Sequence, residues 1–324
     1  MPPSSPPAIP ATLLLAWYRR HRRDLPWRAA PGADADPYRV WVSEVMLQQT
    51  RVQAAIPYYQ RFLERFPTLA ALAAADEADV LALWSGLGYY RRARQLRQAA
   101  ELVMARHGGV FPMDWAAARA LPGVGAYTAG AILSIAGRLP LPAVDGNALR
   151  IARRVAGQPL SLAAAQTLLA TWLSPRRPGE FNQALMDLGA TVCLPRAPRC
   201  PLCPLRRLCR GQGQAPASSP APRLERVELA YVLARRGARV WLVRRRRDAG
   251  QLAGMWELPR AAAPRGAPLA TLRHSITTRR ITATIYAASP PAGAGRWMSR
   301  GEALSAPLTG LARKILRQVL GWQT

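Results

Sequence analysis

Lysine is nearly absent from this chain, and acidic residues are few. The 324 residues include 45 lysines and arginines, of which Lys314 is the only lysine, against 18 aspartates and glutamates, so the net charge is +27. A GC-rich genome explains arginine in place of lysine, but it does not explain the shortage of acids. The charge is a poor match for an enzyme of small anionic metabolites. It favours a polyanionic partner, bound through neutralised phosphates and released counterions.

Long apolar runs are absent as well. No 18 consecutive apolar residues occur in the chain, which excludes a hydrophobic transmembrane helix. Residues 1–10 are mostly proline and serine, and they lack the basic and apolar segments of a signal peptide. We therefore expect a cytoplasmic protein that works without a membrane partner.

Cysteine is scarce, and the four cysteines are confined to one basic segment, residues 193–209. They are Cys193, Cys200, Cys203 and Cys209, with the spacing C-x6-C-x2-C-x5-C. Inert core cysteines would be scattered, and without an export signal clustered thiols indicate metal ligands rather than disulfides. Irregular spacing with prolines between the thiols is typical of a 4Fe–4S cluster. A zinc site, which usually has two C-x2-C pairs, stays open as the alternative.

The distribution of residue patterns predicts two domains of different class. Residues 11–210 have apolar residues at helical spacing, and residues 211–224 have the composition of a linker. The remainder contains short segments that are β-branched or alternate between apolar and polar residues, as strands do. The predicted helices are 12–22, 39–55, 57–65, 78–84, 90–106, 115–119, 126–136, 145–155, 162–173, 180–191 and 308–320. The predicted strands are 227–235, 239–245, 254–259, 272–277 and 281–287. The sequence thus predicts an all-α domain followed by a smaller α+β domain.

A glycine-containing turn separates two of the predicted helices. Gly123 and Gly125 lie in the segment Leu121–Gly130, where they permit a tight turn that no side chain obstructs. The following helix then presents backbone N–H groups and a positive helix end to an anion such as a DNA phosphate. A G-x-G turn before a helix is by itself more often an ordinary turn, so this prediction depends on the cysteine segment and the charge.

Taken together, the turn, the cysteine segment and several other motifs resemble the helix-hairpin-helix DNA glycosylases. Within that superfamily the resemblance is to the MutY family of adenine DNA glycosylases, and it covers nearly the whole predicted helical domain. The further segments that carry it are Leu25–Arg28, Trp41–Thr50, Trp84–Arg91, Val144–Asn147 and Phe181–Ala190.

The resemblance implies a domain organisation. Residues 1–210 would form the helix-hairpin-helix glycosylase domain, including an iron–sulfur loop at 193–209; residues 211–224 would link it to a domain at 225–324. Val243–Arg247 and Gly254–Pro259 resemble the entry strands of a Nudix fold. The chain lacks the glutamate-rich helix that a Nudix hydrolase needs, so this Nudix-like domain is expected to recognise 8-oxoguanine without hydrolysing a nucleotide.

Two carboxylates are the candidate catalytic groups. Glu44 lies in the otherwise apolar segment Val40–Leu47, where burial would raise its pKa and suit a proton donor; a partly exposed glutamate in an ion pair is the alternative. Asp145 is expected at a helix start, where the dipole stabilises an anion. The resemblance implies that Glu44 protonates adenine N7 and that Asp145 stabilises the positively charged sugar. Glycosidic cleavage needs two such carboxyl groups with separated pKa values.

The residue type at position 127 distinguishes two kinds of glycosylase in this superfamily. Members of the superfamily that also nick the backbone have a lysine at this position, whose amine forms a Schiff base with the sugar. Here the position holds tyrosine, and Lys314 lies in the other predicted domain. A monofunctional adenine glycosylase is therefore expected. The alternatives are a bifunctional glycosylase and lyase for oxidised pyrimidines, and a non-catalytic iron–sulfur protein that binds DNA.

The resemblance also implies a set of residues that contact DNA and the two mispaired bases. The expected partner is double-stranded DNA with adenine opposite 8-oxoguanine or guanine, bound by a nucleoid-associated monomer. The loop that reads 8-oxoguanine in the family would correspond to Ile276-Thr277-Thr278, in which the Thr277 hydroxyl is kept. The full set is Trp27, Arg28, Gln49, Thr50, Leu87, Tyr89, Gly123, Gly125, Asn147, Asp187 and Thr277.

Overall fold

Two compact units, each with its own hydrophobic core, make up the chain. The computed structural model describes residues 9–30, 32–213, 224–246, 248, 252–261, 266–276 and 279–322. The first unit comprises Met1–Ala73 and Gln98–Ser219, and the second comprises Ala74–Arg97 and Pro220–Thr324. Residues 74–97 are thus grouped with the C-terminal part of the chain, which the sequence did not suggest. Most of the predicted linker lies outside the described residues, so the domain boundaries stay a prediction.

Helices account for the regular structure described up to residue 191. They are α1 Ala11–His21, α2 Pro37–Leu47, α3 Val52–Arg65, α4 Leu69–Ala73, α5 Glu77–Trp84, α6 Arg91–His107, α7 Trp115–Arg119, α8 Ala126–Ile135, α9 Gly146–Ala156, α10 Leu162–Trp172 and α11 Pro178–Thr191. Of these, α5 and the first part of α6 belong to the second unit. Most bounds lie within two residues of the predicted ones, and the predicted all-α class of this part is confirmed.

One predicted helix is wrong. The sequence predicted a helix over 39–55, but α2 ends at Leu47 and α3 begins at Val52. Between them Gln49 has a φ of 57°, a left-handed conformation that interrupts a helix. The helix predicted over 57–65 begins five residues earlier and contains Pro57.

The core of the first unit follows from helical periodicity. In α9 the buried residues Ala148, Ile151, Ala152 and Val155 recur at spacings of three and four, so they share one face. This face packs with buried residues of α1, α10 and α11. Seven consecutive residues of α8, 128–134, are buried, so this helix is enclosed on all sides.

The second unit contains the sheets and the last two helices. The strands are β1 Glu225–Leu233, β2 Arg235–Arg236, β3 Arg239–Arg244, β4 Trp256–Glu257, β5 Ala270–Ile276, β6 Arg279–Ala287 and β7 Arg296–Met298, followed by α12 Arg300–Ser305 and α13 Gly310–Leu320. One sheet has the order β1-β6-β5, with β1 and β6 parallel; in the other, β3 pairs with β2, β4 and β7. Ile315 and Leu316 of α13 contribute to the core with Leu242 and Ile285. A C-terminal domain that contains sheets, as predicted, is confirmed.

No helix among the described residues is both long and apolar enough to cross a membrane.

Candidate active site

Glu44 is placed by a helix that is buried almost along its whole length. The Asp36 side chain caps α2 by accepting a hydrogen bond from the Tyr38 amide at 2.8 Å, and Pro37 occupies the first turn, where its missing N–H costs nothing. From Val40 to Met46 every residue is buried, and Glu44 is 5% exposed. The apolar flanks therefore carry a carboxyl group into the interior, as the sequence predicted.

The surroundings of Glu44 favour its protonated form. Burial raises its pKa to about 7, and the negative charge of Asp145 adds to the increase, whereas a hydrogen bond from Tyr127 and the charge of Arg28 oppose it. Among the described residues, Oε2 of Glu44 has no hydrogen-bond partner. A buried polar atom of this kind is uncommon in a folded protein. Near neutral pH this carboxyl group can therefore both hold and release a proton.

Tyr127 reaches Glu44 from the first turn of α8, directly after the hairpin that joins α7 to α8. Gly123 has a φ of 76°, which favours glycine, and the Val124 amide closes the turn on the Leu121 carbonyl at 3.1 Å. Gly125 is the exposed N-cap of α8, and a Cβ built there would meet open space. The chain itself therefore does not require glycine at 125, and its bare backbone is accessible to a partner.

Asp145 is the N-cap of α9, as predicted. Its Oδ1 accepts a hydrogen bond from the Ala148 amide at 2.7 Å, and its Oδ2 accepts one from Asn147 Nδ2 at 2.8 Å. Both bonds hold the carboxyl group in place at the start of the helix. Because Asp145 acts electrostatically on Glu44, the structure brings the two predicted carboxylates and Tyr127 into one site.

Arg150 connects this site with the cysteine segment. Its guanidinium donates to Asn147 Oδ1 at 2.8 Å, to the Gly189 carbonyl at 2.8 Å and to the Cys193 carbonyl at 2.9 Å. A Cβ on Gly189 would approach Asn147 Cβ to 2.5 Å, so glycine is needed there for Asn147 to keep its position. The position of Asn147 beside Asp145 therefore depends on α11 and on the cysteine segment.

Arg28 and Asp187 form a second charged group in the first unit. Arg28 donates to both Asp187 oxygens, at 2.7 and 2.9 Å, and Arg23 adds a contact of 2.7 Å. Burial would raise the pKa of Asp187, but the hydrogen bonds and charge of Arg28, followed by those of Arg23, lower it. Trp27 packs edge-on against Tyr59 with ring centroids 5.3 Å apart. Arg28 also acts electrostatically on Glu44, which places this pair beside the candidate acid.

The remaining predicted contact residues are distributed over both units. Gln49 is exposed and Thr50 half-buried after α2. In the second unit, Leu87 is 9% exposed and Tyr89 is 41% exposed. Thr277 lies outside the described residues, so its predicted role has no structural counterpart.

The four cysteines are free and half-buried. Burial raises the pKa of Cys203 to about 11, whereas the Leu205 amide donates to it and lowers the pKa; the three other cysteines also act on it electrostatically. Within the described ranges, no three His, Cys, Asp or Glu side chains form a group around a common metal position. The four thiols share one loop, and the three others act electrostatically on Cys203, which also accepts from an N–H donor of the kind that tunes iron–sulfur clusters. By their chemistry four thiols are the donors of an iron–sulfur cluster, although the described side chains are not gathered around one metal position.

Two polar residues that hold the site were missed from the sequence. Asn182 is 1% exposed; it accepts from the Ala143 amide at 3.1 Å and donates to the Leu141 carbonyl at 2.8 Å. It therefore fixes the segment that leads into Asp145. A buried asparagine within an apolar helix was the available signal. Arg150 gave no signal, because basic residues are common throughout this chain.

Known proteins resemble this chain in sequence. Residues 42–170 match the family described as HhH-GPD superfamily base excision DNA repair protein. An adenine DNA glycosylase of Rattus norvegicus is 45% identical over 232 residues, which cover 67% of this chain and 45% of the relative. An adenine DNA glycosylase of Arabidopsis thaliana is 35% identical over 309 residues, covering 81% of this chain and 49% of the relative. The chain therefore spans about half the length of these curated relatives.

A solved structure resembles it in fold. The structure of a thermostable thymine-DNA glycosylase matches with a TM-score of 0.57 and 28% identity, over 62% of this chain and 94% of that chain. The match covers almost all of the smaller glycosylase, so the helical part of this chain has the fold of a base-excision glycosylase.

Proposed function

We propose that the chain, which resembles the helix-hairpin-helix superfamily of base excision DNA repair proteins in sequence, is an adenine DNA glycosylase. Its substrate would be double-stranded DNA in which adenine is mispaired with 8-oxoguanine or guanine. The observation that carries the proposal is the pair formed by Glu44, a buried carboxyl group whose pKa is raised to about 7, and Asp145, a carboxyl group held at the start of α9 by two hydrogen bonds.

Glu44 supplies the proton in this proposal. Adenine is a poor leaving group as an anion, and protonation at N7 lets it leave as a neutral base. A pKa of about 7 gives a substantial protonated fraction at neutral pH together with an acid strong enough to transfer its proton. The unpartnered Oε2 can accept or donate a hydrogen bond to a base that enters the site.

Asp145 stabilises the charge that forms on the sugar. As the C1′–N9 bond breaks, its electron pair leaves with the base and positive charge develops on the ring. A nearby fixed carboxylate lowers the energy of that state without reorganisation. A water molecule then adds to C1′ and gives up a proton, which leaves an abasic site. Asn147 keeps the aspartate oriented through its 2.8 Å hydrogen bond.

Strand cleavage by Schiff-base chemistry is not part of the proposal. Tyr127 occupies the position where a lyase of this superfamily has lysine, and Lys314 donates instead to the Arg273 carbonyl in the second unit. The tyrosine at this position argues against the bifunctional alternative. Glu44 and Asp145 together argue against the non-catalytic alternative, because a protein that only binds DNA needs neither a buried acid nor a fixed anion beside it.

The α7–α8 hairpin is proposed to hold the DNA backbone. The exposed Gly125 and the free amides at the start of α8 suit a phosphate at a helix N-terminus. Such a contact positions the enzyme without reading sequence. The net charge of +27 predicts that binding weakens steeply with salt. We expect a monomer to bind one lesion.

Cys193, Cys200, Cys203 and Cys209 are proposed to bind a 4Fe–4S cluster. When bound, the cluster would serve as a rigid cross-link of the loop, and Arg150 and Arg154, which contact Cys193, would connect it to α9. Iron, acid-labile sulfide and zinc analysis of the purified protein tests this assignment. About four irons and four sulfides per chain are expected, whereas one zinc without sulfide would assign the loop to a zinc site.

The C-terminal region is proposed to be Nudix-like and to recognise the 8-oxoguanine opposite the adenine. Its sheets and its two helices are compatible with this assignment. Thr277 is kept in the proposal as the hydroxyl-bearing residue of the recognition loop. A cytoplasmic, nucleoid-associated location is proposed from the clustered thiols, which indicate a reducing compartment, and from the charge.

Single-turnover release of adenine tests the proposed function. Duplexes with adenine opposite 8-oxoguanine, guanine or thymine are incubated with excess enzyme, and strand breaks are measured before and after alkali. Breaks only after alkali, formed fastest opposite 8-oxoguanine, are expected. Breaks before alkali would favour the lyase, and binding without release from any duplex would favour the non-catalytic protein.

A further inference from the structure

The loop that joins α5 to α6 has an unusual backbone conformation. In residues 85–90, Gly86 has a φ of 104°, Gly88 of 80° and Tyr89 of 50°. A tyrosine in the left-handed region is uncommon, and it persists only where surrounding contacts determine it. The Tyr89 side chain is nevertheless 41% exposed. The chain therefore holds an aromatic residue outward in a conformation that the residue does not itself prefer.

The C-terminal part of the second unit anchors both ends of this loop on one backbone oxygen. The Leu308 carbonyl, between α12 and α13, accepts the Ser85 hydroxyl at 2.7 Å and the Tyr90 hydroxyl at 3.3 Å. The Tyr90 hydroxyl also accepts a hydrogen bond from the Gly86 amide at 3.1 Å, and Arg313 of α13 donates to Ser85 Oγ at 3.1 Å.

This anchor is itself fixed by backbone hydrogen bonds. The Trp256 amide donates to the Pro307 carbonyl at 2.9 Å, and the Thr309 amide donates to the Trp256 carbonyl at 2.9 Å. These bonds tie the segment around Leu308 to β4. Ser85 and Leu308 are 3% and 0% exposed, so water does not compete for the bond between them.

On α6, a cation supports the exposed ring. The Arg92 guanidinium lies 5.3 Å from the Tyr89 ring centroid and 5.4 Å from that of Trp84, within the range of cation–π attraction. Arg92 also donates to the Gly88 carbonyl at 3.2 Å. The loop is thus held from α6 by Arg92 and from the C-terminal part by the Leu308 carbonyl.

We propose that Ser85, Tyr90 and Arg313 are positioning residues through which the C-terminal part of the chain presets the 85–90 loop, so that Tyr89 is presented to DNA beside the base opposite adenine. This inference rests on the proposed function. It assigns the C-terminal part a second contribution to selectivity, in addition to any direct contact with that base. This contribution acts through the 85–90 loop, which lies more than 200 positions before Leu308 in the chain.

The experiment uses the full-length chain with the double substitution Ser85→Ala and Tyr90→Phe, which removes both hydroxyl donors to Leu308 with little change in shape. Single-turnover rates of adenine release are measured opposite 8-oxoguanine and opposite guanine. The matched control is Tyr38→Phe, which removes a buried tyrosine hydroxyl bonded to the Phe66 carbonyl at 2.8 Å in the first unit. Amide hydrogen exchange of residues 85–90 is followed in the same proteins.

We expect the ratio of the two rates to fall about 10-fold in the double variant, since the two hydrogen bonds to the Leu308 carbonyl are lost together with those that Gly86 and Arg313 donate to the same hydroxyls. Exchange in residues 85–90 should become faster, and the control should keep the wild-type ratio. An unchanged ratio with faster exchange would overturn the proposal, because the anchor would then be structural only. If the double variant does not fold, Arg313→Met, which leaves both hydroxyls in place, should show a smaller loss of the ratio. Wild-type protein that releases no adenine would instead contradict the proposed function.

Discussion

Glu44 and Asp187 are both buried carboxyl groups of the first compact unit, yet their pKa values are shifted in opposite directions. Glu44 is 5% exposed, and one of its oxygens has no partner among the described residues. Asp187 is 0% exposed, and Arg23 and Arg28 donate four hydrogen bonds to its two oxygens. Burial raises the pKa of Glu44 to about 7. Burial would also raise the pKa of Asp187, but the two arginines outweigh this effect and lower it.

The difference shows that the partners of a buried carboxyl group determine what it can do. The lowered pKa of Asp187 keeps it ionised near neutral pH, where it neutralises the buried Arg28. Glu44 is expensive to ionise, and this cost lets it hold a proton near neutral pH, as the proposed acid must. The two residues lie on α11 and α2, and Arg28 acts on both. If chemistry and stability divide between them in this way, substitution of Glu44 should abolish activity and substitution of Asp187 should reduce stability.

Glu44→Gln should have the largest effect. The amide keeps the shape but cannot deliver the proton, so we expect single-turnover adenine release to fall by about 10⁴-fold while DNA affinity stays within about twofold of the wild type. Rapid-quench kinetics and equilibrium binding measure the two quantities. The exposed Glu64→Gln in α3 is the control. Loss of binding together with activity would show that Glu44 is structural.

Asp145→Asn should follow. Asparagine caps a helix as well as aspartate does, so the free energy of unfolding should change by less than about 1 kcal/mol, while release of adenine falls by about 10³-fold because the negative charge is gone. Chemical denaturation and single-turnover kinetics separate the two effects. Wild-type activity in this variant would remove Asp145 from the reaction.

Asp187→Asn should mainly reduce the stability of the fold. Its effect on proton transfer should be smaller. The Arg28 side chain is only 5% exposed, and in this variant it would lose its counter-charge. An unpaired buried charge of this kind should lower the free energy of unfolding by about 3 kcal/mol. The exposed ion pair of Asp34 with Arg138 provides the control Asp34→Asn, expected to change stability by less than about 1 kcal/mol.

The stability lost in Asp187→Asn should depend on pH in a definite direction. Because the pKa of Asp187 is lowered in the folded protein, its stabilisation is complete above the unfolded value of about 3.9 and disappears as pH falls through the folded value. The difference between wild type and Asp187→Asn should therefore shrink in acid. A difference that grows below pH 4 would contradict the assignment of Asp187 as an ionised partner of Arg28.

Tyr127→Phe should have the smallest effect. The Tyr127 hydrogen bond lowers the pKa of Glu44, so its removal should raise that pKa further. Since release of adenine requires protonated Glu44, the decline of the rate in the alkaline range should move to higher pH. The pH profile of the single-turnover rate measures the shift. A shift to lower pH would mean that Tyr127 favours the protonated form.

Local features of this site could be predicted from the sequence. The burial of Glu44 follows from its apolar neighbours on α2, and the turn at Gly123 and Gly125 follows from residues that permit it. The helix start at Asp145 likewise depends on a few adjacent residues. In each case the determining interactions lie within one or two helical turns.

The remaining features depend on residues that are distant in the chain. The ion pairs of Asp187 join residues separated by about 160 positions, and no local pattern indicates them. Within the second unit, Ser85 and Tyr90 meet the Leu308 carbonyl, which lies more than 200 positions further along the chain. The break after α2 was missed because Gln48, Gln49 and Thr50 include neither glycine nor proline.

The protonation of Glu44 is the central claim, and its carboxyl carbon can be titrated directly. Protein labelled with ¹³C at the glutamate carboxyl groups is followed by NMR from pH 4 to pH 9, and the resonance missing from Glu44→Gln identifies the residue. We predict that this resonance titrates near pH 7. Titration near the ordinary glutamate value of about 4.3 would show that Glu44 is ionised under working conditions and would contradict its role as the acid.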